Sequence, residues 1–459
     1  MSTSILYTNP EEIDTMEERG KIKVSVIGCG QNGVLHACLF AEAGYEVTCV
    51  DSNRALIKRL ARGRAPFLKR ETEPLLKKHV RRGRLKATKD VETAVKQSDI
   101  IVITTPAGTD RKRNASYLEI EKVCKQTGSN LQKGSLVILV STVGPGVTED
   151  LIRETLENAS GLKAGVHFGL AYSPIQASNE QTLAKLAHCR RIVAAIDKKS
   201  LNAASAVLKT IIGNDVFETN NVKMLEAAKL FESVQHCTNI ALANEFACFC
   251  EKAGIDYLEA RKLAGEGGYC ILASPTPLFL ETHEEPCLLL EEAENLDVKL
   301  RVPAIARETN EEILKHMISL IREALKSCGK TLRRAKISLV GISQTPNMED
   351  VPKASTKRLA KLLEKKGARV SVYDPHFSTK MLTEIGYPAK KSLTDAVEGS
   401  DCITVLTGHR RFERLNFRKL RVIASMPAAI VDFEGIVNPE EAEMEGFIYR
   451  GFGRGVWTK

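Results

Sequence analysis

Gly28, Gly30 and Gly33 stand in GxGxxG spacing at the end of the run "KIKVSVIGCGQNG". In that pattern the first glycine makes a tight turn, the second lets main-chain amides approach a pyrophosphate, and the third lets a helix pack closely on a strand. A helix opening there turns its partial positive charge toward the phosphates. The spacing alone is weak evidence. Here an apolar helical pattern, "VLHACLFAEAG", follows, and then a second strand, "YEVTCVD", which closes on Asp51. A carboxylate at that point accepts from ribose hydroxyls and repels a 2′-phosphate, so NAD is the expected cofactor, with Arg54 the one feature that favours NADP. Thr105 in "TTP" and Thr142 in "STVGPG" follow the next strand ends, where ligands of open sheets bind. Their hydroxyls are candidates to touch the nicotinamide half. Each is equally compatible with ordinary turn chemistry.

These residues need a sheet to position them. "SDIIVITTP", "GSLVILVSTVGPG", "LKAGVHFGLAYSP" and "RRIVAAID" read as further strands of the same α/β layer. A first domain is therefore expected over 21–200, a Rossmann-type doubly wound fold preceded by an extension over 1–20. From about 222 the pattern changes to "VKMLEAAKLFESVQHCTNIALANEFACFCEKAGI", with apolar residues every three or four positions. That predicts a helix longer than usual, of the kind that lies at a domain or dimer interface. A second long helix, "AIARETNEEILKHMISLIREALKS", completes a central helical region over 201–329. "RRAKISLVGI", "GARVSVYDP", "SDCITVLTGH" and "PAAIVDFEGI" then repeat the strand plan of the first half, so a Rossmann-like α/β domain is expected over 330–459.

With 459 residues the chain has material for about three domains of ~150 residues. Lys and Arg exceed Asp and Glu by 66 − 57 = 9, which suits an acidic ligand. Aromatic residues are only 5%, too few for a nucleic-acid stacking surface. The cysteines form no CxxC pair, and "CFC" at Cys248 and Cys250 is too tight for a zinc knuckle. Free thiols of this kind point to a reduced compartment. No apolar run reaches the ~18 residues of a membrane span, and the acidic start is not a signal or transit peptide, so the cytoplasm is expected.

The cofactor run, "STVGPG", "EAAKLFESVQHCTNIALANEFA", "KGARVSVYDPH" and the closing "YRGFGRG" together resemble the UDP-glucose/GDP-mannose dehydrogenase family, over residues 22–455. The resemblance implies an NAD-binding domain, a helical core that joins homodimers, and a C-terminal domain that helps hold a nucleotide sugar, UDP-linked in most such enzymes. It implies oxidation of a sugar 6-hydroxyl to a carboxylate with two NAD. The aldehyde stage would be held on a cysteine as a thiohemiacetal, then oxidised to a thioester and hydrolysed. A thiolate makes the second hydride transferable, and a helix lysine or ordered water can stabilise oxyanion character. Lys229 matches the family's helix lysine. Asn239, Asn244 and Glu245 also fit that helix pattern. Lys229 could instead solvate a helix face, but it stands in an otherwise apolar stretch.

The chain departs from the family where the substrate would sit. The family carries a segment like GxGGHCIPKDPxxL. Counting back without a gap from "AENLDVKLRVPAIARETN" puts Glu281 at the cysteine, Glu284 at the lysine and Glu285 at the aspartate, with Cys287 packed inward in the next helix turn. Glu281 cannot replace a thiolate, because its adduct would be an unstable mixed anhydride hydrate. The other register reads "GEGGYC" as the glycine loop and makes Cys270 the thiol, at the cost of an insertion. Both registers stay open. Ile175 and Gln176 replace the glutamate and arginine of "PERxxxG", Ser233 replaces the helix asparagine, Thr345 a lysine, and Glu434 the arginine of "VDGRN". Lost cations matter beside a diphosphate, and Arg450 and Arg454 are the candidates to restore phosphate contacts. Three outcomes follow: the full nucleotide-sugar oxidation, a single oxidation or epimerisation without a thiol, and a catalytically inactive homologue with a regulatory or structural role.

Overall fold

The computed structural model describes residues 4–457 apart from 8–9, 66, 68–71, 111–113, 176–182, 213–215, 267, 269–271, 278–284 and 350–353. Contacts divide the chain into two compact units, Met1–Val234 with Glu284–Leu300, and Gln235–His283 with Arg301–Lys459.

The strands of the first unit are β1 (Lys23–Ile27), β2 (Glu46–Val50), β3 (Leu85–Thr88), β4 (Ile100–Ile103), β5 (Gly108–Thr109), β6 (Ala115–Ser116), β7 (Leu136–Leu139), β8 (Gly169–Tyr172), β9 (Arg191–Ala195) and β10 (Val216–Thr219). Eight of them form one sheet in the order β10-β9-β8-β7-β4-β1-β2-β3. Its pairs are parallel except β8 with β9. The short β5 and β6 make a separate antiparallel pair. Strands β4 and β7 are buried along their whole length, as a parallel sheet covered on both faces requires. Successive residues divide between two cores. Val24, Val26, Ile100, Val102, Leu136 and Ile138 point into one. Ile101, Ile103, Val137 and Leu139 point into the other. Strand order reverses between β1 and β4, so a crevice opens at their C-terminal ends. Gly28 follows one strand and Thr105 the other.

The expected α/β class is therefore present. The sheet, however, runs past the boundary expected at residue 200. The helix Lys198–Ile211 carries the chain back to β10, which pairs parallel with β9. In the N-terminal extension Ile5, Leu6 and Ile13 are buried, ahead of a single helical turn, Met16–Arg19, capped by Thr15.

In the second unit β11 (Lys336–Val340), β12 (Arg369–Tyr373), β13 (Cys402–Val405), β14 (Ala429–Asp432) and β15 (Ile448–Gly451) form an all-parallel sheet in the order β12-β11-β13-β14-β15. The helix Arg301–Ser327 buries Ile313, Leu314, Met317, Ile318, Ile321 and Leu325 at helical spacing in the same core as Leu339 and Val431. The 32-residue helix Val222–Ala253 is the long element expected from its apolar periodicity.

The glycine-rich end of the chain is also a packing device. A Cβ on Gly455 would lie 2.0 Å from the Cys250 carbonyl oxygen and 2.8 Å from the Ile255 amide. Both are main-chain atoms that cannot swing away. Gly455→Ala should therefore cost about 1–3 kcal/mol of stability, read as a lower urea midpoint with an unchanged slope.

Candidate functional site

The first cluster is the turn after β1. Gly28 has φ +95°, and a Cβ there would stand 2.8 Å from the Thr105 amide nitrogen. Only glycine accepts both conditions. At Gly33 a Cβ would fall 1.9 Å from the Gly28 carbonyl oxygen, so the helix Gln31–Ala43 approaches the turn more closely than any side chain permits. Gly30 is the N-cap of that helix and supplies no side-chain cap. A Cβ on Gly30 would meet nothing within 4 Å. The start of the helix is thus open beside Gly30, as an anion site needs.

Asp51 sits just beyond β2, half-buried. Its Oδ2 accepts from Cys29 N at 2.8 Å and its Oδ1 from Asn53 N at 2.8 Å. Those bonds aim the carboxylate across the turn. The second unit carries the same plan in a closed form. Asp374 follows β12 and accepts from the amides of Ile342 and Ser343 at 2.8 and 3.1 Å. It is buried against His409, whose Nδ1 accepts from Asn347 N and whose Nε2 lies 3.1 Å from Oδ2. The open copy, with Gly28, Gly30, Gly33 and Asp51, fits a dinucleotide.

The second cluster lies around loop 141–148, after β7. Ser141 Oγ donates to the Thr105 carbonyl at 2.6 Å, which joins the two strand-end loops. Thr142 Oγ1 donates to Glu285 Oε1 at 2.8 Å. Ser233 donates to the other Glu285 oxygen. Tyr117 Oη accepts from Gly144 N at 2.9 Å, and burial pushes its phenol up to about 12. Glu226 accepts from Gly146 N at 2.5 Å and from Thr148 N at 2.9 Å. Burial pushes the Glu226 carboxyl up to about 7. Lys229 is 5% exposed, and its Nζ is 3.3 Å from Glu232. Leu230, Val234, Leu288 and Leu289 pack together beneath the cluster. The result is a cation, a carboxylate and two hydroxyls on neighbouring elements, a set that can hold a hydroxyl and move its proton.

Of the residues singled out in the sequence, Gly28, Gly30, Gly33, Asp51 and Thr105 come together at the cradle. Thr142, Lys229 and Ser233 come together at the second cluster. Asn239 is exposed on the long helix. Arg450 donates to the carbonyls of Tyr449 and Trp457 at 2.8 and 2.7 Å and to Ser327 Oγ at 3.1 Å. Arg454 Nε is 2.8 Å from Asp256. Both guanidinium groups thus serve contacts within their own unit. Cys287 is 8% exposed beside buried Leu288, packed inward as expected. Cys270 and Glu281 lie outside the described residues. The sequence reading missed Glu226, Glu285 and Tyr117 as site residues. Glu285 had a signal, since the ungapped register puts it at the family's aspartate. Glu226 had one too: a carboxylate inside the apolar run "VKMLEAAKL", three residues before Lys229. Among the described residues no cluster of His, Cys, Asp or Glu is arranged for a metal, and no helix is long and apolar enough to cross a membrane.

Three family models match the chain in succession. The NAD binding domain of the UDP-glucose/GDP-mannose dehydrogenase family matches residues 22–212, its central domain 223–312, and its UDP binding domain 338–439. The chain belongs to this family. As a member it carries the family's NAD binding domain, and its open cradle lies inside that match. A UDP-N-acetyl-D-mannosamine dehydrogenase of Pyrococcus horikoshii is 29% identical, over 95% of this chain and all of that protein. A UDP-glucose 6-dehydrogenase of Rhizobium meliloti is 25% identical, over 94% of this chain and all of that protein. Among solved structures, the Pyrococcus horikoshii UDP-D-ManNAc dehydrogenase aligns with TM-score 0.83 at 27% identity, over 95% of this chain and 100% of that one. An NDP-N-acetyl-D-galactosaminuronic acid dehydrogenase of Methanosarcina mazei aligns with TM-score 0.74 at 26% identity, over the full length of both chains.

The geometry at Gly33 gives a direct check on the cofactor site. Gly33→Ala must push the helix off the turn, and NADH titration followed by nicotinamide fluorescence should show affinity reduced by about tenfold or more, roughly 1.4 kcal/mol.

Proposed function

We propose that this chain oxidises the 6-hydroxyl of a UDP-linked sugar with NAD as hydride acceptor. The observation that carries the reading is Lys229. A lysine that merely solvated a helix face would be exposed, whereas this one is 5% exposed, one helical turn before Ser233, which is tied to Glu285 and through it to Thr142. In this reading Lys229 stabilises negative charge on the reacting oxygen, and Glu285 holds Ser233 and Thr142 in place around it. Bound NAD supplies the hydride acceptor. Gly28, Gly30 and Gly33 give its pyrophosphate room against main-chain amides, and Asp51 holds the ribose. The P. horikoshii relative, named for UDP-N-acetyl-D-mannosamine, makes an N-acetylated hexose the first substrate to try.

Whether one or two oxidations occur depends on a thiol. With Cys287 packed inward, Cys270 is our candidate nucleophile. We place the protein in the cytoplasm, a reading supported by the described cysteines all being free. We also propose a homodimer through the long helix. Leu242, Phe246 and Phe249 are exposed along it, and Phe246 and Phe249 line an apolar groove with Tyr257, Ala260 and Leu272.

Incubation with UDP-sugars and NAD should yield NADH, and Lys229→Ala should lower the rate by about 100- to 1,000-fold. If Cys270 is the nucleophile, the wild type releases two NADH per sugar and Cys270→Ala no more than one. No NADH with any UDP-sugar would overturn the assignment. Sedimentation should give a dimer that Phe249→Glu splits into monomers; a monomeric wild type would remove the dimer from the scheme.

A further inference from the structure

We propose that Glu226 is a positioning residue that fastens loop 141–148 to the helix turn carrying Lys229, so that its ionisation sets how firmly the two are held together. The inference rests on the dehydrogenase reading for its kinetic consequence, and on geometry alone for the clamp.

Glu226 is fully buried, and among the described residues neither oxygen makes an ion pair. Each instead takes one main-chain N–H, from Gly146 at 2.5 Å and from Thr148 at 2.9 Å. An ionised carboxylate accepts from both amides. Protonation makes one oxygen a hydroxyl, a weaker acceptor than a carboxylate oxygen, so one of the two bonds is weakened while its O–H can turn to the Thr148 hydroxyl. The two amides lie at the far end of the loop whose near end carries Thr142. From Thr142 the chain of bonds continues to Glu285, then to Ser233, and so back to the helix. Glu226, Lys229 and Ser233 follow one another at i, i+3 and i+7, along one helix face. Glu226 therefore closes a ring of contacts that runs from the helix, through the loop, and back to the helix seven residues on. Without it the loop keeps the polar tie through Glu285 and the apolar contact of Val143 with Val222 and Leu225.

The groups that face Glu226 do not neutralise it. Glu149 acts on it from the loop and raises its proton affinity. Asp150 and Lys223 flank Gly146, with Asp150 Oδ2 the nearer to that residue's Cβ position. The phenols of Tyr117 and Tyr172 also lie within electrostatic reach of it. Burial, first, and then Glu149 bring its titration to about 7. The signs for stability and clamping are opposite. A carboxyl with a raised folded pKa contributes stability that is present below its ordinary range and lost as pH rises through about 7. The double clamp is strongest in the ionised form, above that pH.

The test compares wild type, Glu226→Gln and Glu226→Asp. Amide hydrogen exchange of loop 141–148, corrected for intrinsic rates, is measured from pH 5.5 to 8.5 on the NAD-loaded protein. The wild-type loop should lose about tenfold protection as pH falls through the Glu226 titration. Glu226→Gln should be poorly protected and pH-independent, and Glu226→Asp should regain part of both. In turnover, kcat of the wild type should show an acid limb centred near neutrality. Glu226→Gln should lack that limb and show a lower plateau, with KM for NAD changed less than kcat. Wild-type protection and an unchanged acid limb in Glu226→Gln would overturn the proposal. Exchange needs no turnover, so a protein inactive on every UDP-sugar but showing the Glu226-dependent exchange would keep the clamp and lose only the assigned reaction.

Discussion

The site depends on one close approach, that of the helix Gln31–Ala43 to the turn at Gly28. The space between them is too small for a methyl group, and this brings an uncapped helix N-terminus to the end of β1, where strand order reverses. The close contact is energetically modest by itself. Its value is directional, since it sets the positive end of a helix beside the turn where a diphosphate would lie. Thr105 stands against the same turn, and Ser141 binds the Thr105 carbonyl, so the placement of one helix propagates to two neighbouring loops.

The chain uses this device twice and leaves only one copy open. Asp51 and Asp374 both follow the second strand of a parallel sheet, and both cap amides of the preceding glycine turn. Asp51 stays half-buried beside open space. Asp374 is enclosed with His409 and Ser343, which satisfies it with protein groups. The same local sequence logic therefore yields a ligand cradle in one unit and a packed corner in the other. What differs is whether a neighbouring side chain reaches the acid first.

Carboxylates, not cations, organise the rest of the site. Glu285 collects Thr142 and Ser233, and Glu226 collects two loop amides. Each replaces what would otherwise be several separate contacts with one two-oxygen acceptor. At Ser233, where the resemblance implies an asparagine, this acceptor joins helix and loop. The buried serine at position 233 is short, and Glu285, one methylene longer in its side chain than an aspartate, reaches it.

The sequence by itself determined the elements and the cofactor. The GxGxxG spacing, the strand ending in Asp51, the long apolar helix and the repeated strand plan are all local patterns, written within a few tens of residues. Local periodicity also placed Lys229 on a mostly apolar helix and Cys287 on an inward face. It did not show that β10 extends the first sheet, because four residues of "VFET" alternate too weakly to mark a strand. Nor did it show that Arg450 and Arg454 serve contacts within their own unit, since a guanidinium's partner is chosen by what surrounds it. Only the tertiary structure decided the composition of the site. Glu285 meets Ser233 across 52 positions and Thr142 across 143, and Glu226 meets Gly146 across 80. Such meetings are made by the packing of sheet and helices, which no short window of sequence encodes.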